Sequence, residues 1–191
     1  MGGRGWMALA LWLTVVGQGL AASRDDLGMY EKYRSDAVRG NPTAQFRFGL
    51  MYYMGVGIPR DYVEAARWYR QAAERGLPEA QFQLGLMHEE GMGVTQSDQE
   101  AMQWYLRAAN GKDMDAMIFL GVMYQNGRGV AEDKRVAYVW YDLAIRAGDR
   151  HAGVAVAFRD ALAKRMTPLE VIMAQRQADE LWSGLVSGKG R

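Results

Sequence analysis

Apolar and polar positions in the first part of the chain follow the spacing of an amphipathic helix. Ala44, Phe48, Met51 and Tyr52 are separated by four, three and one residues, so all four lie on one face of an α-helix. Asn41 before Pro42 is typical of a helix start, with asparagine as the N-cap. The pattern predicts a helix that runs to about residue 54 and buries one face.

A second stripe with the same spacing follows a short break. Ala65, Trp68, Tyr69 and Ala72 are apolar or aromatic at helical intervals, and we expect them to be buried on a second helix that starts at Asp61 and ends at residue 76. The small alanines would allow close contact between helices, and the aromatic rings would fill the remaining space.

The break between the two helices contains turn and capping residues. Gly55 suits the left-handed position that ends a helix. Asp61 with Glu64, and Ser97 with Glu100, are each three residues apart and predict capping boxes. Within the first helix we expect the recurring glycine at position 49 to permit the close approach of a neighbouring helix.

This pattern of two helices returns every 36 residues. A fixed period of that length is the signature of an α-solenoid, in which each unit buries its apolar side against the next. We therefore predict an all-α fold, a right-handed α-solenoid of helix–turn–helix repeats with a C-terminal capping helix. The recurring residues are Ala44, Ala80, Ala116 and Ala152; Gly49, Gly85 and Gly121; Gly55, Gly91 and Gly127; Gly57, Gly93 and Gly129; Trp68, Trp104 and Trp140; and Tyr69, Tyr105 and Tyr141.

The register of the repeat divides the chain into segments. The capping helix is predicted from Thr167, Pro168 and Glu170, which suit the N-cap, N1 and N3 positions of a helix, and we expect it to reach about Trp182. The predicted segments are a signal peptide (1–22), an N-terminal half-repeat cap (23–43), three full units (44–79, 80–115 and 116–151), a degenerate repeat with the capping helix (152–183), and a disordered tail (184–191).

The first 22 residues have the layout of a secretory signal peptide. Arg4 precedes an apolar run over residues 6–16, and small residues follow up to Ser23. The run is short for a membrane span, although an uncleaved anchor is the alternative. We expect cleavage near Ala21 to Ser23, a periplasmic or secreted protein, and no membrane insertion after the signal is removed.

Charge and cysteine content exclude several classes of function. The chain has 23 basic and 22 acidic residues and no cysteine. This balance gives no electrostatic basis for binding nucleic acid. The absence of cysteine excludes disulfides, thiolate metal sites and cysteine nucleophiles.

The repeated motif resembles a known family. The pattern A-x3-LG-x2-Y-x2-G-x-G-x3-D-x3-A-x2-WY-x2-AA-x2-G is similar to the Sel-one-like repeat, a relative of the tetratricopeptide repeat, and the likeness extends over about residues 25–182. The resemblance implies an adaptor or regulatory role through protein–protein contact, often in the envelope of Gram-negative bacteria. Some exported members, with cysteine-rich repeats, are linked to β-lactam binding or hydrolysis.

Two groups of residues suggest metal chemistry, and the repeat offers another explanation for each. His88 lies beside Glu89 and Glu90, but the matching positions hold Tyr52 and Tyr124, so we expect a packed side chain. The soft donors Met87, His88 and Met92 raise the possibility of copper binding. Met51, Met87 and Met123 recur with the repeat, however, and we expect them to fill the core. No catalytic residue, cofactor or metal ligand is predicted.

The third unit is more apolar than the first two. Val136, Val139 and Leu143 stand where unit one has polar side chains, and Met117 and Phe119 change in the same direction on the first helix. Two explanations are open. The helices after residue 152 fold back and cover this surface, or the surface is an exposed docking patch.

The predicted function is that of a non-catalytic adaptor or regulator that binds an unidentified protein or peptide. The alternatives are a β-lactam-binding or hydrolysing protein and a periplasmic metal-handling protein. Solenoids of this kind usually bind through the face formed by the first helices, where variable positions would point outward. The predicted partner-binding residues are Arg47, Tyr53, Met54, Gln83, Glu89, Glu90, Phe119 and Gln125.

Overall fold

A computed structural model describes residues 24–148 and 152–187. The predicted signal peptide and residues 188–191 of the predicted tail lie outside the described residues. Within them, the chain forms α-helices and no strands, which confirms the all-α prediction. The helices are α1 (Arg24–Val38), α2 (Pro42–Met54), α3 (Tyr62–Glu74), α4 (Pro78–Glu90), α5 (Asp98–Asn110), α6 (Met114–Asn126), α7 (Lys134–Ala147), α8 (Ala152–Ala163) and α9 (Pro168–Ser187).

The helices pack in the order in which they occur along the chain. The pairs α2–α3, α4–α5 and α6–α7 form three hairpins, and contacts of α3 with α4 and of α5 with α6 stack each hairpin on the next. Helix α1 packs on α2 as a half-repeat. This sequential stacking is the architecture of a helical-repeat solenoid.

The ends of the first helices follow the local signals in the sequence. Oδ1 of Asn41 accepts a hydrogen bond from the Ala44 N–H at 3.0 Å, and Asp113 caps α6 in the same way at 2.8 Å. Gly55 ends α2 in the left-handed conformation (φ 73°), with its N–H bonded to the Met51 carbonyl. These local interactions explain why the bounds of these helices were predictable.

The capping boxes predicted for the second helices form only one of their two hydrogen bonds. The N-cap side chain accepts from the helix as expected, but the glutamate does not accept from the N-cap N–H. Oδ1 of Asp61 accepts from the backbone N–H groups of Val63 and Glu64, as expected. The Glu64 carboxylate instead binds Arg67. The N–H of Asp61 donates to the Tyr52 carbonyl at 2.9 Å, so a glutamate is not needed to satisfy it.

The same backbone bond ties the two helices together in every unit. Ser97 donates its N–H to the His88 carbonyl, and Asp133 donates to the Tyr124 carbonyl, each at 2.9 Å. Because this bond satisfies the Asp133 N–H, and Oδ1 of Asp133 accepts from the N–H groups of Arg135 and Val136, α7 starts after Asp133 without a glutamate three residues later.

A glycine–tyrosine contact closes each hairpin. A Cβ atom built on Gly85 would lie 2.5 Å from Cε1 of Tyr105, and one on Gly49 would lie 2.8 Å from Cδ1 of Tyr69. In unit three, Gly121 meets Tyr141 in the same way. The recurring glycine therefore makes room for the buried tyrosine on the second helix of its own unit.

The second glycine of the G-x-G turn makes a contact between units in units two and three. A Cβ on Gly93 would collide with the Tyr62 carbonyl and would lie 2.7 Å from the Val63 nitrogen, at the start of α3. A Cβ on Gly129 would lie 2.9 Å from the Asp98 carbonyl oxygen, at the start of α5. The turn of one unit thus rests directly on the backbone of the unit before it.

The C-terminal helices cover the apolar second helix of unit three. Both α8 and α9 pack against α7, where Val139 and Leu143 are each only 1% exposed. The Gln175 side-chain amide of α9 donates to the Tyr138 hydroxyl at 3.2 Å. Of the two explanations for this surface, covering by the C-terminal helices is correct for the second helix.

A group of ion pairs joins these three helices. Asp142 of α7 is buried and pairs with Arg146 at 2.7 Å and with Arg159 of α8 at 3.1 Å. Arg146 also pairs with Asp179 of α9 at 2.7 Å. Asp142 therefore accepts from two arginines at the point where α7 and α8 meet.

The last helix starts as predicted and ends later. Thr167 and Glu170 form a reciprocal capping box, in which the Thr167 N–H donates to Glu170 Oε2 at 2.7 Å and the Glu170 N–H donates to Thr167 Oγ1 at 3.3 Å. Helix α9 continues to Ser187, so a disordered tail starting at residue 184 is wrong for residues 184–187. The helix is prolonged because Leu185, like Trp182, packs against the core.

Nine helices make up the described part of the chain. None of its helices is both long enough and apolar enough to cross a bilayer.

Candidate interaction surface

A groove of about 500 Å³ lies along the first helices of the second half of the solenoid. It runs from the end of α4 across α6 to α8. Its apolar lining consists of Ile118, Phe119, Val122 and Met123 of α6 and Val154 and Phe158 of α8.

Helix α8 exposes apolar side chains to the groove because it is apolar on two faces. Its buried residues Ala155 and Leu162 pack toward the core beside α7. Val154 and Phe158, one turn apart, remain 47% and 42% exposed. The Phe158 ring lies 5.6 Å from the buried Tyr141 ring, measured between centroids.

Phe119 links the groove to the preceding unit. Its ring lies 5.3 Å from Phe82 and 5.4 Å from Tyr105, measured between centroids. Offset and edge-to-face aromatic contacts of this kind fix ring positions. The Phe119 ring is therefore fixed in position by these contacts and remains partly exposed in the lining of the groove.

A hydrogen-bonded group of polar side chains forms one end of the groove. Glu89 accepts from the Tyr105 hydroxyl at 2.6 Å and pairs with Arg128 at 2.7 Å. Arg128 also contacts Asp98 at 3.4 Å. Burial, together with the hydrogen bond to the Glu89 carboxylate, raises the pKa of the Tyr105 phenol. That phenol therefore stays protonated and donates to Glu89 at neutral pH.

The structure brings only two of the predicted partner-binding residues together in this groove. Glu89 and Phe119 both line it. Glu89 does not point freely outward as predicted, since its side chain is only 12% exposed. Its two oxygen atoms are held by Tyr105 and Arg128. The Glu89 side chain therefore contributes a fixed negative charge to the rim of the groove and cannot adapt its position to a partner.

Tyr53 and Gln125 occupy the same repeat position as Glu89 and also turn toward their own units. The Tyr141 hydroxyl donates to Gln125 Oε1 at 2.9 Å. The Tyr53 ring lies 6.5 Å from the Tyr69 ring. These side chains are half-buried because this position faces the buried tyrosine of each hairpin, and a binding role for Tyr53 and Gln125 stays a prediction.

The remaining predicted residues are distributed along the solenoid. Arg47 is exposed and lies over the Tyr33 ring of α1 at 5.7 Å. Gln83 is half-buried on α4, and Met54 and Glu90 are exposed at the ends of α2 and α4. A binding role for these residues stays a prediction.

Sequence reasoning missed the residues that α8 contributes. Val154 and Phe158 fall in a segment that was interpreted only as a degenerate repeat. A signal was present, because their spacing of four residues makes them neighbours on one face of a helix. Arg128 was also missed, since its role depends on Glu89 and Asp98 from another unit.

The residues considered for metal chemistry are parts of the core. His88 is 6% exposed, with Nδ1 3.3 Å from the Thr95 carbonyl oxygen, so the prediction of a packed side chain is confirmed. Met51, Met87 and Met123 are all buried, as expected for core residues. The described residues contain no cluster of three or more His, Asp or Glu side chains suited to a metal ion.

The fold and the groove define a helical-repeat solenoid with an exposed apolar surface on its first helices. Three consecutive stretches of the chain, residues 42–77, 78–113 and 115–149, match the Sel1 repeat. They account for more than half of the sequence, and the chain belongs to the Sel1 repeat family. Proteins built from these repeats generally mediate protein–protein contacts and are typically non-catalytic scaffolds.

Two solved structures show the same architecture. The chain is 39% identical to a Sel1 repeat protein from Oxalobacter formigenes, over 64% of this chain and 92% of that one, with a TM-score of 0.59. It is 28% identical to c5321, a protective antigen of uropathogenic Escherichia coli strains with an SLR fold, with a TM-score of 0.69. That match covers 93% of this chain and 38% of the antigen. No curated protein matches the chain.

Proposed function

We propose that the protein is an exported, non-catalytic adaptor or regulator that binds a segment of another protein in the groove across α6 and α8. The observation that carries this proposal is the exposure of Val154 and Phe158 beside Phe119. Three neighbouring apolar side chains on a concave surface are typical of a binding site.

Burial of the exposed apolar surface of the groove would contribute to the free energy of partner binding. Fully burying a side chain such as valine or phenylalanine contributes about 1.5–3 kcal/mol. Val154 and Phe158 retain 47% and 42% of their exposure. Covering both would therefore contribute roughly 1–3 kcal/mol before the cost of association is subtracted. Such a contribution suits a moderate, reversible contact.

Photo-crosslinking in the native cell tests this function. A photoreactive residue at Val154 should form one dominant adduct with a partner protein, and the adduct should be lost when Phe158→Ser is added. Val63 of α3, which is exposed and lies outside the groove, is the matched control position. Equal adducts from both positions, or none from Val154, would refute the proposed site.

Export rests on the layout of the N-terminal segment, with Arg4 before an apolar run and small residues near Ser23. N-terminal sequencing of the protein purified from the periplasmic and secreted fractions should give a first residue between 22 and 24. Recovery of the intact N-terminus from the cytosol would refute export.

The two alternatives from the sequence have direct tests. A chromogenic β-lactam measures hydrolysis, and calorimetric titration with Cu(I) and Zn²⁺ measures metal binding. We expect neither turnover nor stoichiometric metal uptake. Either result would replace the non-catalytic adaptor function with the corresponding alternative.

A further inference from the structure

The polar end of the groove carries more negative than positive charge. Arg128 lies between two carboxylates, 2.7 Å from Glu89 and 3.4 Å from Asp98. One cation is thus shared by two anions, which leaves this group with a net negative charge. Arg128 is 41% exposed, more than either carboxylate, and its charge is offset by these two contacts.

A further carboxylate acts at this end of the groove. Glu90 is exposed, next to Glu89 at the end of α4. Burial and the Glu89 carboxylate raise the pKa of the Tyr105 phenol, Arg128 lowers it, and the charge of Glu90 raises it by less than Arg128 lowers it. The Glu90 charge is therefore felt at the hydroxyl that holds Glu89, close to the lining.

Acidic residues also outnumber basic ones, among the described residues, along a loop edge that adjoins the opposite end of the groove. Asp115 lines the groove, and it lies with Glu79, Lys112 and Asp113 along the adjoining loop edge. Burial raises the pKa of Asp113, and the charges of Asp115 and Glu79 add to the increase. Among the described residues that line this edge, Lys112 is the single base against three acids.

We propose that the groove selects a partner segment in which apolar side chains are flanked by lysine or arginine. This inference rests on the function proposed above and specifies its partner. The apolar side chains would cover Val154, Phe158 and Phe119, and the flanking cations would lie over the acidic ends. Complementary charge at a rim mainly sets specificity and the association rate, so a segment with acidic flanks would be rejected.

Two peptides that differ only in charge test the inference. Each carries the same core of leucine and phenylalanine with a fluorescent label, and the core is flanked by lysine in one peptide and by glutamate in the other. Binding is measured by fluorescence anisotropy, with the protein purified as it accumulates in cells. The lysine peptide should bind at least about tenfold more tightly at low salt, and its advantage should shrink as salt screens the rim charges.

Variants locate the effect in the groove. Phe158→Ser should weaken binding of the lysine peptide up to about tenfold, whereas Val63→Ser should leave it unchanged. Glu90→Gln should weaken the lysine peptide about two- to fivefold, as expected for one rim charge. Glu74→Gln, which removes an exposed carboxylate on α3, is the matched charge control and should have no effect.

Several outcomes would overturn the inference. These are equal binding of the two peptides, preference for the glutamate peptide, binding of neither, or binding that Phe158→Ser does not change. Self-association that Phe158→Ser abolishes would show that a second copy occupies the groove.

The crosslinking experiment separates this inference from the proposed function. An adduct from Val154 to a partner segment that lacks lysine and arginine would overturn the charge preference and leave the adaptor function standing. The absence of any adduct would remove the adaptor function itself.

Discussion

The contact between Gly85 and Tyr105 leaves no room for a methyl group. A Cβ at position 85 would lie 2.5 Å from Cε1 and 2.6 Å from Cδ1 of the tyrosine, whereas ordinary contacts are 3.4–4 Å. The ring would have to move by about 1 Å. It is fully buried between Phe82 and Phe119 and bonded to Glu89, so that movement disturbs several contacts together.

Opposing effects determine how much Gly85→Ala changes the free energy of unfolding. Forcing an extra methyl group into a packed core costs about 1–3 kcal/mol. Weakening the bond from the buried Tyr105 hydroxyl to Glu89 adds about 1 kcal/mol. Replacing glycine by alanine within a helix returns about 0.5–1 kcal/mol. We expect a net loss of about 2 kcal/mol in the free energy of unfolding, and a melting temperature about 4–8 °C lower.

Urea unfolding followed by far-ultraviolet circular dichroism measures this change. Gly184→Ala on α9 is the control, since no atom lies within 4 Å of the added Cβ, and it should stabilise the protein by up to about 1 kcal/mol. In a Tyr105→Ala background, Gly85→Ala should be neutral or stabilising, because the obstructing ring is absent. A destabilisation that persists in that background, or a stabilising Gly85→Ala in the wild type, would refute the steric explanation.

Three further predictions concern buried polar groups. Tyr69→Phe should leave the free energy of unfolding unchanged or raise it, because the buried Tyr69 hydroxyl has no hydrogen-bond partner among the described residues. Tyr141→Phe should lower it by about 1 kcal/mol by removing the bond to Gln125; urea unfolding compares the two. Asp142→Ala should cost about 2 kcal/mol in thermal unfolding because it removes the buried carboxylate that accepts from both Arg146 and Arg159, although each arginine keeps a second carboxylate partner, whereas Arg176→Ala, at an exposed pair, should change stability little. Burial raises the pKa of Tyr141 from 10.0 to about 12. The protonated phenol therefore contributes fully to the free energy of unfolding below pH 10, and this contribution is lost as the pH rises to about 12. The Tyr141→Phe variant should lose less stability than the wild type over this pH range.

Each of these predictions has a contrary outcome. Equal destabilisation by Tyr69→Phe and Tyr141→Phe would mean that Gln125 contributes nothing. Equal effects of Asp142→Ala and Arg176→Ala would show that the ion pairs around Asp142 do not join α7 to the capping helices. An unchanged alkaline profile in Tyr141→Phe would remove burial of this phenol as a cause of the alkaline loss of stability.

Local interactions explain which parts of the fold were predictable from the sequence. Asn41 and Gly55 bound the first helix through contacts with residues three or four positions away. The recurrence of Gly85 and Tyr105 at matching positions likewise reflects one contact made in every hairpin. Both partners of each of these contacts lie within the sequence of one repeat, so the contacts can be predicted from that sequence.

The direction of side chains relative to neighbouring helices could not be predicted in this way. The sequence assigned Tyr53, Glu89 and Gln125 correctly to one repeat position. It did not show that this position faces the buried tyrosine of each hairpin, since the direction of a side chain near the end of a helix depends on the helix packed beside it.

Amino-acid order by itself determined the period, the helices and the register of the units in this protein, because these follow from spacing along the chain. The tertiary structure alone decided that α8 and α9 bury Val139 and leave Phe158 exposed. Val139 became core because α8 and α9 pack on α7, whereas Phe158 stays exposed because it lies on the face of α8 that lines the groove.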